Sequence, residues 1–180
     1  QVLEYDLLTE TLQPLLISRT QSDDVDILNF AENDLILDVA LVDGKYKYWV
    51  DSGRNDLRKI NVDKARAGEY DTFTPEDINA NKLPPFYPPQ VKYGNDATRN
   101  INKLYGHLFK FSYKFQYDDY EHSNWSDYSI VPLPINEGVN RNQKISTTNN
   151  YIDITVNTGD RLVTKIYVGM QMDNGKWFQL

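Results

Sequence analysis

The side chains best equipped for chemistry are two histidines, His107 and His122, and two knots of carboxylates: Asp23, Asp24 and Asp26 in "SDDVD", and Asp118, Asp119 and Glu121 in "YDDYE". Neither histidine belongs to an H-E-x-x-H pair, so a zinc hydrolase would need ligands the chain does not display. The carboxylates supply oxygen ligands of the kind calcium takes, yet they lack the alternating acids and central glycine of an EF-hand loop. As paired acids for glycoside cleavage they would need a cleft and a separation of about 5–10 Å, and spacing along the chain defines neither. Acids in solvated turns are the simplest account of both knots. His107 is expected at the start of a strand, half exposed. No G-x-S-x-G elbow, G-x-x-x-x-G-K-[ST] loop or G-x-G-x-x-G turn is present, which removes the common signatures of hydrolases and nucleotide-binding proteins. With no cysteine, disulfides, thiolate zinc sites and cysteine nucleophiles are excluded together, as fits cytoplasmic assembly. Asn124-Trp125-Ser126 matches a glycosylation sequon, which has meaning only on a secretory route. The expectation is a chain with no catalytic residue, no metal and no cofactor.

The richest pattern is aromatic. In "FKFSYKFQY" the odd positions are Phe109, Phe111, Tyr113, Phe115 and Tyr117, and the even ones are Lys110, Ser112, Lys114 and Gln116. Side chains alternate across a strand, so the rings share one face. Left in water, that face would expose several hundred Å² of apolar surface at ~25 cal/mol per Å². A buried inner face is the expectation. A stacking platform for sugars or bases is the alternative, although such platforms use two or three rings and not a continuous file.

The elements that would carry these residues divide near residue 81. "NKLPPFYPPQ" places Pro84, Pro85, Pro88 and Pro89 within six positions and reads as a stiff polyproline connector. Before it, "FTPEDIN" predicts a short helix with Thr74 as N-cap and Pro75 at the first position. Residues 1–80 form one expected unit. Leu35, Leu37, Val39 and Leu41 alternate onto one face, Asp43-Gly44 suits a type I′ turn, and Lys45 to Asp51 is the return strand. Turn Asp51-Ser52-Gly53 leads to the strand "LRKINV", and "VDKARAG" is a brief helix ending at Gly68. Residues 81–180, with 81–90 as linker, form a more uniformly β unit. Its candidate strands are 90–93, 104–118, 124–132, 151–157, 162–172 and 176–180, and residues 135–150 read as a loop crossing between sheets. Such short strands match an antiparallel sandwich.

Charge is uneven. Residues 1–80 carry 8 basic and 17 acidic side chains, a balance of −9, within a chain of net charge −7. Gripping a phosphate backbone takes a surplus of Lys and Arg, so no specific nucleic-acid binding is expected. No apolar run approaches the eighteen residues of a membrane span, and no signal peptide is visible. The chain begins at Gln1 without Met, as a processed product or part of a longer polypeptide would.

Two resemblances add to this. "WSDYS", Trp125 to Ser129, resembles the W-S-x-W-S signature of fibronectin type III domains, with Ser126 and Ser129 as its serines and Tyr128 in the second aromatic place. What the likeness implies is a surface ladder in which aromatic rings interleave with cations, here Lys110 and Lys114, at roughly 0.5–1 kcal/mol per contact. More broadly, "YWVDSGRNDLRKINVD", "LPPFYPP", "GHLFKFSYKFQYDDYEHSNWSDYSIVPLP" and "NNYIDITVNTGDRLVTKIYVG" form a succession similar to the tail stabilisation (nozzle or muzzle) proteins of crAss-like and related short-tailed Bacteroidetes phages. That likeness covers residues of about 35 to 170. It implies that Trp49 and Asp51 belong to a propeller-like blade and that an immunoglobulin-like or fibronectin-like domain follows.

The expected protein is therefore all-β: a propeller-like antiparallel segment, then a fibronectin III/immunoglobulin-like sandwich. Its expected role is structural, in a virion tail assembled in the host cytoplasm, with other tail proteins and copies of itself as partners. The acidic first half would face a DNA channel and prevent adhesion. Two or three amphipathic strands cannot stand alone, so neighbouring blades or another sheet are required. Asp51 is expected to bond turn backbone. The alternative function is a carbohydrate-binding or adhesion module of a bacterial surface protein.

Overall fold

A computed structural model describes residues 1–18, 27–70, 72–99, 101–132 and 149–180. The carboxylates Asp23, Asp24 and Asp26, and nearly all of the loop expected at 135–150, lie outside the described residues. The fold is nearly all β, and among the described residues every strand pairing is antiparallel. No helix among the described residues is long and apolar enough to cross a membrane. The chain forms two compact units, Gln1–Lys82 and Leu83–Leu180.

The first unit opens with a hairpin of β1 (Val2–Asp6) and β2 (Thr11–Leu16). Three strands follow, β3 (Ile36–Val42), β4 (Tyr46–Asp51) and β5 (Arg58–Asn61), in the order β3-β4-β5. Helix α1 (Val62–Arg66) is started by Asn61, whose side chain accepts from the N–H groups of Asp63 and Lys64, two of the orphan donors at a helix start. Gly68, at φ 78°, follows its end in the left-handed conformation expected of it. The core gathers Leu15, Leu16, Trp49, Ile60, Ala65 and Ile78.

Three local expectations need correction here. Asp43 and Gly44 take left-handed φ values of 51° and 63°, but Val42 pairs with Tyr46, so Lys45 stays in the turn and the return strand begins one residue later. A bulge between Ile36 and Asp38 sets Ile36 opposite Asp51 and Val39 opposite Trp49. The extra residue moves Ile36 onto the Val39 face and interrupts the unbroken Leu35-Leu37-Val39-Leu41 alternation. No helix starts at Thr74. The chain makes one turn, in which the Asp77 carboxylate accepts from Thr74 N at 2.7 Å. It is then drawn into pairing beside β5, where Lys59 N donates to Ile78 O and Ala80 N to Leu57 O.

In the second unit β6 (Gln90–Gly94) pairs with β8 (Tyr151–Thr155). A separate sheet has the order β10-β9-β7, from β7 (Phe109–Tyr117), β9 (Val163–Met172) and β10 (Trp177–Gln179). β7 starts five residues later than expected, because Gly106 at φ 83° and a turn from His107 N to Leu104 O precede it. The proline-rich segment bends at Phe86-Tyr87, whose rings meet edge to face at 5.0 Å, so it is not one continuous polyproline rod. Residues 124–132 form no strand; their pairing is of another kind.

Candidate functional site

Five rings on the inner face of β7 anchor the site. Phe109, Phe111, Tyr113, Phe115 and Tyr117 are all buried, Tyr113 completely at 0% exposure. Opposite them on β9, Val168 pairs with Tyr113 and Ile166 with Phe115, and both belong to the same apolar cluster. Tyr117 OH donates to Leu83 O at 2.6 Å. Burial, with the nearby charges of Asp160 and Asp119, pushes its phenol up to about 12.

With its rings committed inwards, β7 offers its free edge to the segment after the turn. Ser123, Ser126 and Ser129, three residues apart, meet β7 at positions two apart. Their N–H groups donate to the carbonyls of Phe115 (3.0 Å), Tyr113 (2.8 Å) and Phe111 (2.7 Å). In return, the N–H groups of those three residues donate to the serine Oγ atoms, at 3.0 Å for Phe115, 3.1 Å for Tyr113 and 3.0 Å for Phe111. Each serine thus replaces one missing backbone partner with its own hydroxyl. Three fully extended residues would run about 10 Å against about 7 Å for two on β7, so this strap is more coiled than a strand. Two of the hydroxyls also donate, Ser123 Oγ to Asn124 O and Ser126 Oγ to Asp127 O, each at 2.8 Å.

The strap's intervening residues face outwards and build an aromatic surface. Lys114 Nζ lies 5.1 Å from the Trp125 ring centroid and 5.6 Å from that of Tyr167, its cross-strand neighbour. Tyr167 OH is held by Gln116 Oε1 at 2.7 Å. Tyr128 stacks on Trp177 at 5.2 Å and 23°. Gly169 lies beneath both tryptophans: a Cβ there would come within 3.1 Å of Trp125 and 3.4 Å of Trp177. Trp125, Tyr128, Gly169 and Trp177, together with Ser112, Phe178 and Gln179, line a groove of about 420 Å³, and Trp125 and Trp177 remain 44% and 40% exposed.

Of the two cations expected in this ladder, Lys114 alone stands over rings. Lys110 is half-buried opposite Gln171 and makes no cation–ring contact among the described residues. Tyr167, Gly169 and Trp177 are contributions that sequence reasoning missed, since nothing in their local pattern ties them to Trp125. For Ser123 the sequence does carry a signal, the three-residue period of Ser123, Ser126 and Ser129.

The other predicted positions lie elsewhere. Trp49 is buried in the core of the first unit. Asp51 Oδ1 accepts from the backbone N–H groups of Gly53, Arg54 and Asn55 at 3.0, 3.1 and 3.1 Å, and Asn55 Nδ2 reaches Oδ2. Burial raises the Asp51 carboxyl, but the Asn55 side chain and those three amides outweigh it and hold the group below the usual carboxylate range. His107 Nδ1 lies 2.8 Å from the Asp173 carboxylate, both about half exposed. Asp119 accepts from Glu121 N within the turn. Among the described residues no three His, Cys, Asp or Glu side chains gather where a metal ion would be held. No family model matches the chain, and no curated protein or solved structure matches it either.

Proposed function

We propose that this chain is a structural component of a bacteriophage tail, of the nozzle or muzzle kind, acting by packing against copies of itself and other tail proteins without catalysis. The observation that carries this is the first unit's uncovered apolar surface. β3 is exposed at all seven positions, with Val39 at 50% and Leu41 at 61%, and Leu3, Tyr5, Leu7, Leu8 and Leu12 of the β1–β2 hairpin are exposed as well. A contiguous aliphatic surface of this kind marks a contact face. On this reading the first unit is propeller-like and is completed by neighbouring blades, and the virion is assembled in the host cytoplasm.

The second unit fits an immunoglobulin-like or fibronectin-like sandwich in permuted order. The strap, β7 and β9 stand as G, F and C of one sheet with β10 as C′, while β8 and β6 stand as the adjacent B and E of the other. Mass spectrometry of purified virions tests the assignment to a tail. The chain is expected in many copies per particle, and its absence from intact particles would refute the role.

The aromatic groove favours a second reading, a carbohydrate-binding or adhesion module. Trp125 and Trp177 present ring faces of the type on which pyranoses stack. Saturable quenching of tryptophan fluorescence by oligosaccharides, lost in Trp125→Ala, would favour it over the tail reading.

A further inference from the structure

We infer that the outer edge of β3 is a docking edge for β3 of a second copy of this chain, in antiparallel register centred on Ala40, and that the Asp38 carboxylate is its built-in plug. The direction of the edge follows from the hydrogen bonds. Lys45 O accepts from Val62 N, so odd-numbered residues of β4 turn their backbone groups to β5 and even-numbered ones turn theirs to β3. Tyr46, Tyr48 and Val50 therefore bond Val42, Ala40 and Asp38. The N–H and C=O groups of Val39 and Leu41 are left pointing away from the sheet.

An edge of this kind recruits another strand unless something blunts it. Here the Asp38 carboxylate reaches round to accept from the neighbouring Val39 N–H at 2.8 Å, occupying one of the two outward donors. The bulge at Ile36/Asp38 and the turn at Asp43 leave a regular stretch of five residues, Asp38 to Val42.

Among antiparallel partners, a second copy fits this stretch residue by residue. Centred on Ala40, Val39 faces Leu41 of the other copy and Leu41 faces its Val39. Four backbone hydrogen bonds join them, and the four aliphatic side chains lie on one face. The smallest side chain falls on the two-fold axis, at a non-hydrogen-bonded pair where Cα atoms approach to about 4.5 Å. Each Asp38 stands opposite Val42 and away from its counterpart, so no like charges meet. The contact is isologous and closes at two copies. This inference takes from the assembly reading only that the covering partner is protein, and virion composition tests that reading separately.

The chain lacks cysteine, so single substitutions in the 180-residue chain report the register directly. Ala40→Cys is expected to form a disulfide-linked dimer on mild oxidation, as is a mixture of Val39→Cys and Leu41→Cys. Val39→Cys alone is not, because its counterpart would lie more than about 7 Å away. In sedimentation experiments Asp38→Ala is expected to dimerise at about tenfold lower concentration than the parent, since it frees the Val39 donor and removes a charge. Val39→Lys should remain monomeric, with far-UV circular dichroism verifying that each variant is folded. Failure of Ala40→Cys to cross-link, cross-linking of Val39→Cys with itself, or weaker dimerisation of Asp38→Ala would each overturn the inference. A monomeric chain whose β3 is covered only by a different protein would do the same.

Discussion

Asp51 shows how one carboxylate organises a turn. Three backbone donors and the Asn55 amide converge on it, and a side chain without acceptors would strand them in a half-buried loop. Asp51→Ala is expected to destabilise the first unit by roughly 2–4 kcal/mol, measured by urea denaturation. The sign of the pH dependence follows from its lowered pKa. The folded state binds the proton less tightly than the unfolded chain, so this contribution is present above the ordinary aspartate range and is lost as pH falls below it. Asp51→Ala should accordingly flatten the loss of stability in acid. Tyr117 behaves in the opposite sense. Its phenol is raised to about 12 by burial and by Asp160 and Asp119. Stability from its neutral form is complete below pH about 10 and disappears as pH climbs towards about 12. Burial and the Asp173 charge raise the Tyr93 phenol as well, so ultraviolet titration of tyrosinate should show a late-ionising component that Tyr117→Phe reduces without abolishing.

At the scale of elements, the strap and β7 are interdependent. Three N–H groups of β7 donate to serine hydroxyls of the strap, and the N–H groups of those serines donate to β7's carbonyls. Ser126 is central, since its Oγ accepts from the wholly buried Tyr113 and its carbonyl accepts from Ser112 Oγ. Ser126→Ala leaves the Tyr113 N–H without an acceptor in a water-poor site. A loss of about 1–3 kcal/mol is expected, with faster hydrogen exchange at Tyr113 as the specific sign. A substitution to threonine, which keeps the hydroxyl, should restore most of the protection.

For the whole molecule, the two units differ in how complete they are. The second buries its five-ring row, with Val156 and the β9 residues Val163, Ile166 and Val168 packed against the cluster of Tyr113, Phe115 and Tyr117, whereas the first leaves β3 and much of the β1–β2 hairpin to water. Residues 83–180 expressed alone are expected to unfold cooperatively on heating, followed by circular dichroism. Residues 1–82 alone are expected to associate or precipitate at concentrations where the other half stays monomeric. Equal solubility of the halves would remove the main support for an assembly role.

Much of this architecture could be read from the chain because it obeys a short period. The alternation from Phe109 to Tyr117 carries its own instruction for strand and face, since side chains two apart must point the same way and five rings in water are untenable. The brief helix ending near Gly68 was legible from local preference in the same manner. Long-range choices were not. Whether Lys110 or Lys114 would meet a ring depended on which residue of β9 stood opposite, and β9 begins 46 residues after β7 ends. The composition of residues 124–132 predicts a strand and suits the strap equally well, and the three-to-two register exists only once β7's edge lies beside it. Local sequence thus determined which faces are apolar, a matter of adjacent bonds and hydration. Tertiary structure alone decided which of those faces are covered, because that depends on the contacts made when distant segments compete for the same edge.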